Sequence, residues 1–278
     1  MKTIFKGFPV IFLMILSFSS CVKQEQETDE TDSTSENFTA TSIASDMGNI
    51  SDEAGRTNAI SSFRSSEESA VLSSCASLKF DTIVHTNPDS ITVNFGANNC
   101  LCNDERYRRG SLLITFNGKY KDSLTTITIT SQNYFVNDHG VKGTKITKNL
   151  GHNAQGHLVY DLTENIEVTK TNGGVIKLDA KRQREWISGE NTLIWSDDKY
   201  SITGSASGTN SNGRSFTSLI TKPLIRDMRV LCRKNFVSGA IQHTPFKKPT
   251  RTIDFGNGDC TNKATVTING RVYDITLP

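Results

Sequence analysis

The chain has 278 residues, 35% of them hydrophobic, and its 31 Lys and Arg against 29 Asp and Glu give a net charge of +2. It shows neither an apolar run long enough for a transmembrane helix nor a nucleic-acid-binding motif, which argues against a helical membrane protein and against a nucleic-acid partner. The near-neutral total hides an asymmetry. Residues 22–53 carry nine acidic side chains against Lys23 alone, whereas residues 54–278 carry 28 basic against 20 acidic, a net +8.

Residues 1–20 fall into three parts: a basic start at Lys2 and Lys6, an apolar centre from Ile11 to Leu16, and a small-residue end with Ser17, Ser19 and Ser20. That order reads as a secretory signal. The stretch Phe18-Ser19-Ser20-Cys21 resembles the lipobox of bacterial lipoproteins. The resemblance implies that the Cys21 thiol receives a diacylglyceryl group and that cleavage leaves Cys21 as the acylated N-terminus. The alternative is an ordinary signal peptide followed by an incidental cysteine. One acyl chain holds a protein only marginally, and two or three anchor it stably. Lys23, Gln24 and Glu25 partly match the lysine-plus-acid signal that follows the lipid cysteine in surface lipoproteins of Bacteroidota, with Gln24 departing from it. This implies an outer-membrane lipoprotein at the cell surface, with a periplasm-facing body as the alternative.

Residues 21–53 are rich in Ser, Thr, Glu and Asp and poor in large apolar side chains. Such a segment buries too little surface to offset its ordering entropy, which predicts a disordered acidic tether. Over 54–74, Ile60, Phe63, Glu67 and Val71 fall near helical spacing and predict one short helix.

From Cys75 to 278 the pattern has period two. The segments "LKFDTIVH", "SITVNF", "SLLITF", "TTITIT", "NIEVTKT", "VIKLDA" and "ATVTI" are rich in Thr, Val and Ile and punctuated by Gly, Asn and Asp. Short strands without intervening helices predict an all-β antiparallel domain, a curved sheet or a sandwich of hairpins. Asn269-Gly270 suits a type I′ turn. Ile268 then faces Arg271, Val266 faces Tyr273 and Ala264 faces Ile275. "FNGK" (116–119) resembles the same device, but Lys119 and Lys121 would then oppose Phe116 and Ile114, so that strand is exposed or its turn differs.

The two ends of the domain echo each other. "ITVNFGANNC" (91–100) aligns with "RTIDFGNGDC" (251–260), and each leads into a strand with Asn-Gly. A weaker echo links "VKGTKITKN" (141–149) with "ITGSASGTN" (202–210). These segments, with "YFVNDHGVKGTKITKN" and the terminal "TIDFGNGDCTNKATVTINGRVYDITL", resemble a group of uncharacterised Bacteroidota lipoproteins over most of 75–278. The resemblance implies an exported all-β body and carries no catalytic residue.

Export implies an oxidising compartment, where disulfides persist. Equivalence of Cys100 and Cys260 in the echo predicts Cys75–Cys100 and Cys232–Cys260, with Cys75–Cys102 as the alternative to the first. Cys100-Leu-Cys102 lacks the second pair of a zinc site, so neither metal nor cofactor is expected.

His152 and His157 sit in "GHNAQGH" and are more simply read as exposed loop histidines than as metal ligands or catalysts. No HExxH, GxSxG or phosphate-cradling loop is present. Glu164 with Glu167, or Asp197 with Asp198, would be the carboxylates of a glycan-active enzyme. Trp186, Trp195, Tyr134 and Phe135 would form a sugar platform, or complete the core. Three basic clusters are candidate contacts for an anionic glycan or lipopolysaccharide: Arg106, Arg108 and Arg109; Lys181, Arg182 and Arg184; Lys247, Lys248 and Arg251. Three readings follow: a non-catalytic binding or structural module at the cell envelope, a lipid- or glycolipid-handling protein with an apolar groove, and a glycan-active enzyme.

Overall fold

A computed structural model describes residues 21–59, 76–81, 90–118, 121–192 and 194–277. Among these residues lie one α-helix, α1 (Cys21–Ala59), a single 3-10 turn (Trp195–Asp197) and fourteen strands: β1 (Ser77–Asp81), β2 (Ser90–Asn94), β3 (Cys100–Leu101), β4 (Tyr107–Phe116), β5 (Thr126–Val136), β6 (His139–His152), β7 (Leu158–Thr169), β8 (Val175–Ser188), β9 (Lys199–Thr209), β10 (Ser215–Asp227), β11 (Ser238–Pro245), β12 (Arg251–Asn257), β13 (Lys263–Ile268) and β14 (Arg271–Thr276). The all-β antiparallel class is as the period-two pattern predicts. All strands belong to one sheet in which neighbours in sequence are neighbours in space, β3 pairing beside β2 on β4.

An open sheet of this width curls. Register shifts between β4 and β5, β5 and β6, β6 and β7, β8 and β9, and through β10 and β11 add local bends. The curl closes around α1. From Ser33 to Gly55 only Ser35 is exposed, and the half-buried positions Thr39, Ser42, Ser45, Asn49 and Glu53 continue from it as a single stripe, with Gly55 half-buried at the far end. Every other position faces protein. The helix therefore lies in the trough of the sheet with one polar edge outward. At 1.5 Å per residue, its 39 residues span about 58 Å. No helix among the described residues is long and apolar enough to cross a membrane.

This corrects the expected disordered tether over 21–53. Ser, Thr, Asn and Asp are poor helix formers in isolation. Here they are held by the sheet, because Ile43, Met47, Ile50 and Ala54 share a face and join the largest apolar cluster with Ile91, Leu112 and Ile129. Ala40 and Ala44 are fully buried, and their small side chains allow close approach to the sheet. Residues 54–59 of the expected short helix belong to α1; residues 60–74 lie outside the described residues.

The last hairpin has the register derived from its turn. Ile268 pairs with Arg271, Val266 with Tyr273 and Ala264 with Ile275. Asn269 and Gly270 have φ of 49° and 77°, as a type I′ turn requires. The "FNGK" segment does not make such a turn. Phe116 pairs with Ile127, so β4 and β5 are joined by a longer loop.

Both echoes are visible in three dimensions. Gly96 N–H donates to Asn94 Oδ1 (2.9 Å), and Gly256 N–H donates to Asp254 Oδ1 (2.7 Å), so the two Phe-Gly segments make the same side-chain-capped turn. Their Phe95 and Phe255 are both buried. In the second echo, Gly143 and Gly204 have φ of 147° and 123°. A methyl group on Gly143 would overlap the Asn165 carbonyl of β7, and one on Gly204 would overlap the Lys181 carbonyl of β8. Gly143→Ala is expected to destabilise the protein by about 2–3 kcal/mol, through backbone strain plus overpacking. Gly156, with φ of 81° and open space around it, carries the strain alone. Gly156→Ala should cost about 1 kcal/mol. Urea unfolding of both variants checks the difference, and equal losses would refute the close-approach argument.

Candidate functional site

The densest chemistry lies where α1 meets the concave face of the sheet. Strand alternation puts residues two apart on one face, so Arg182 and Arg184 of β8 both point inward and are buried, while the alternate positions Lys181 and Gln183 are exposed. Arg106 and Arg108 share the inward face at the β4 end. Arg108 is 0% exposed and donates to two carboxylates: Nε (3.1 Å) and Nη2 (2.6 Å) to Asp46 of α1, and Nη1 (2.7 Å) and Nη2 (2.6 Å) to Asp104. Arg106 adds an ion pair to Asp46 (3.4 Å) and a hydrogen bond to Ser42 Oγ (2.9 Å). Burial raises the Asp104 carboxyl, but the Arg108 hydrogen bond and charge outweigh it and hold the group below its usual range.

Further along α1, Asp52 accepts from Arg184 Nη1 (2.7 Å), whose guanidinium lies over the rings of Tyr160 (4.7 Å) and Tyr200 (4.8 Å). Glu36 pairs with Lys170 (2.7 Å) and accepts from the Ser211 backbone N–H (2.8 Å) and hydroxyl. Between these anchors, Glu164 of β7 takes Lys145 (2.6 Å) and Arg182 (3.0 Å). Burial raises the Glu164 carboxyl, yet the Lys145 and Arg182 charges hold it low and ionised. Lys145 Nζ also donates to the Ala44 carbonyl (3.1 Å), and Arg182 Nη2 to Thr41 Oγ1 (3.2 Å). The sheet thus supplies most of the cations and α1 supplies much of the opposing charge.

Three other interior features are distinct. His243 of β11 is 0% exposed and sits between Ser33 (Nε2, 3.1 Å) and Ser218 (Nδ1, 2.8 Å). Burial first, then the charge of Arg251, pushes its pKa down to about 3. Arg226 is 4% exposed, donates Nη1 to the Arg233 carbonyl (2.7 Å) and stacks on Phe236 (4.7 Å). Burial pushes its pKa down to about 10. A cavity of about 10 Å³ beside it is bounded by Phe38, Thr41 and Ser42 of α1 and by Phe255, room for about one water. A separate open depression of about 400 Å³ lies by Cys232 and Cys260, edged by Leu231, Lys234 and Lys263.

The basic clusters are therefore not three surface patches. Arg108, Arg182, Arg184 and Arg251 are buried, because strand alternation turns them inward. Arg109 faces out, paired with Asp138 and stacked on Phe135 (3.8 Å). Lys181 and Lys247 are exposed and Lys248 is half-buried. Trp186, 1% exposed, donates Nε1 to Asp198 (3.2 Å) and packs on Tyr200, and Tyr134 is equally buried, so both complete the core. Glu167 pairs with Lys177 (3.1 Å), away from buried Glu164. Asp197 accepts from Thr192, whereas Asp198 serves Trp186 and Tyr200, so neither carboxylate pair shares a cleft. His152 and His157 contact Glu190 and Glu185 respectively, each at 2.7 Å. No cluster of metal-ligating side chains occurs among the described residues.

Cys232 and Cys260 form a disulfide with Cα atoms 4.5 Å apart. Cys100 is disulfide-bonded, and Cys75 lies outside the described residues. Cys102 is buried, its thiol directed at the Cys100 carbonyl (3.7 Å).

The acidic positions of α1 are the site residues that sequence reasoning missed. A signal was present: Ile43, Met47, Ile50 and Ala54 recur at helical spacing within the acidic segment. No family model matches the chain, and no curated protein or solved structure matches it.

Proposed function

We propose that the chain is an exported lipoprotein, acylated on Cys21, whose body is a non-catalytic binding or structural module at the cell envelope. One observation supports it above the others: the trough of the sheet is filled by α1, with its buried carboxylates Glu36, Asp46 and Asp52 committed to Lys170, Arg108 and Arg184. Enzymes acting on glycans need two carboxylates facing across a space for substrate. The module sits at the outer membrane, on the cell surface, with its exposed Lys181 and Lys247 and the half-buried Arg109 and Lys248 as contacts for an anionic glycan or lipopolysaccharide. Twelve residue steps of α1, about 18 Å of helix, separate Cys21 from the buried Ser33, so the body is held near the membrane.

Mass spectrometry of the mature N-terminus should show the lipid on Cys21, and protease added to intact cells should remove the body. An unmodified Cys21 would overturn the anchor. Protection until the outer membrane is ruptured would move the body to the periplasm. Turnover of a glycan by the purified protein, abolished by one carboxylate substitution, would overturn the non-catalytic reading.

A further inference from the structure

We propose that the concave face of the sheet is a binding site for an anionic amphiphile, an acyl chain ending in a phosphate or carboxylate, and that α1 is its built-in, displaceable occupant. The proposal rests on the binding-module reading and names what such a module takes up.

The interior of the sheet is unbalanced in charge. Among the described residues, seven Lys and Arg side chains of the sheet and its loops are buried, against four buried Asp and Glu from the same elements; α1 adds three more, Glu36, Asp46 and Asp52. Without α1, that interior has excess positive charge in apolar surroundings, which is costly unless an anion replaces the helix carboxylates. Arg226 marks where a further anionic group would fit. Its Nε has no hydrogen-bond partner, and its side chain borders the small cavity against Phe38, Thr41 and Ser42.

The lining of the trough is apolar. Ile91, Leu112, Ile114, Ile129, Ile166 and Leu178 come from the sheet and form one apolar cluster with α1. Ala40, Ala44 and Ala54 are half of what α1 contributes to that cluster. Most of the apolar surface belongs to the sheet, and an acyl chain would cover it without bringing polar groups that need partners.

The helix itself is a weak occupant. Gly48 and Gly55 and many Ser, Thr, Asn and Asp residues give α1 low intrinsic helicity. Thr34 Oγ1 and Asn37 Oδ1 are buried without hydrogen-bond partners. The polar stripe from Ser35 to Glu53 marks the open side of the trough, through which the helix can leave while the strands stay paired.

The test uses the chain from Cys21 onward, which contains every described element, with Cys21→Ala so that no detergent is needed. It is titrated below their aggregation limits with 1-oleoyl-lysophosphatidate, oleate and zwitterionic lysophosphatidylcholine, while amide hydrogen exchange is followed. The expected result is saturable one-to-one binding of an anionic amphiphile, at least ten-fold tighter than of the zwitterion, with loss of protection in α1 and retained protection in β4 to β8. Preference between lysophosphatidate and oleate distinguishes a phosphate from a carboxylate ligand, and either supports the proposal. Asp52→Asn, which weakens one anchor of α1, should tighten binding about ten-fold. Should that variant fail to fold, the unsubstituted titration decides alone. The proposal is overturned if α1 stays as protected as the strands at saturating amphiphile, if the zwitterion binds equally well, or if only a synthetic peptide of residues 33–55 exchanges into the trough. Such a failure would leave the acylated Cys21 and surface location untouched. Those fall only to the N-terminal mass and the protease experiment.

Discussion

Replacing Arg108 with methionine is expected to destabilise the protein by about 3–5 kcal/mol, the cost of removing one partner from a buried charge cluster. Arg108 is fully buried and is the main partner of both Asp46 and Asp104. Methionine fills most of the volume but returns none of the charge. Asp46 would keep Arg106 at 3.4 Å, and Asp104 would keep the same guanidinium at 3.9 Å. Two carboxylates would then compete for one half-buried cation. Adding Asp46→Asn and Asp104→Asn to the methionine variant removes those charges and should restore more than half of the loss. Urea unfolding of the four proteins gives the cycle, and an unchanged midpoint for Arg108→Met would show that the cluster contributes nothing. Because Asp46 belongs to α1 and Arg108 to β4, the experiment also measures how firmly the helix is held.

Lowering the pH from 7 to 5 should weaken the fold through His243. A histidine in the unfolded chain takes up a proton near pH 6.5. In the folded protein, burial and the neighbouring Arg251 delay that uptake to about pH 3. Between those values the unfolded state binds the extra proton, so stability falls as pH falls. The contribution is fully present above pH 6.5 and declines by about 1.4 kcal/mol per pH unit below it, reaching a loss of about 2 kcal/mol by pH 5. The imidazole faces the hydroxyls of Ser33 from α1 and Ser218 from β10 and the ring of Phe216 (5.1 Å); none of them carries a negative charge to balance an imidazolium, and Arg251 on β12 opposes one. His243→Gln keeps a polar side chain that does not titrate. Its stability should lack this dependence, so the two pH profiles should converge between 6.5 and 5. Parallel profiles would show that His243 protonates normally in the folded state.

The hairpin at Asn269-Gly270 was legible residue by residue because all its information is local. A turn dipeptide sets positive φ, and period-two alternation sets which side chains share a face. The same locality made the all-β class and the two Phe-Gly turns readable. Contacts between residues distant in the chain are not legible in this way. Residues 33–55 look disordered by composition, yet Asp46 meets Arg108 across 62 positions and Ser33 meets His243 across 210. No helix propensity encodes those contacts. Alternation placed Arg182 and Arg184 on one face but could not say that this face turns inward, since cations on a strand are ordinarily solvated. Their burial became tolerable only when the sheet curled and brought α1 carboxylates to them. Strand periodicity, turn geometry and the separation of charge between an acidic segment and a basic body are set by neighbouring residues. The tertiary structure alone decided that these opposite charges meet inside the trough, because the desolvation of each is offset only when the other is already in place.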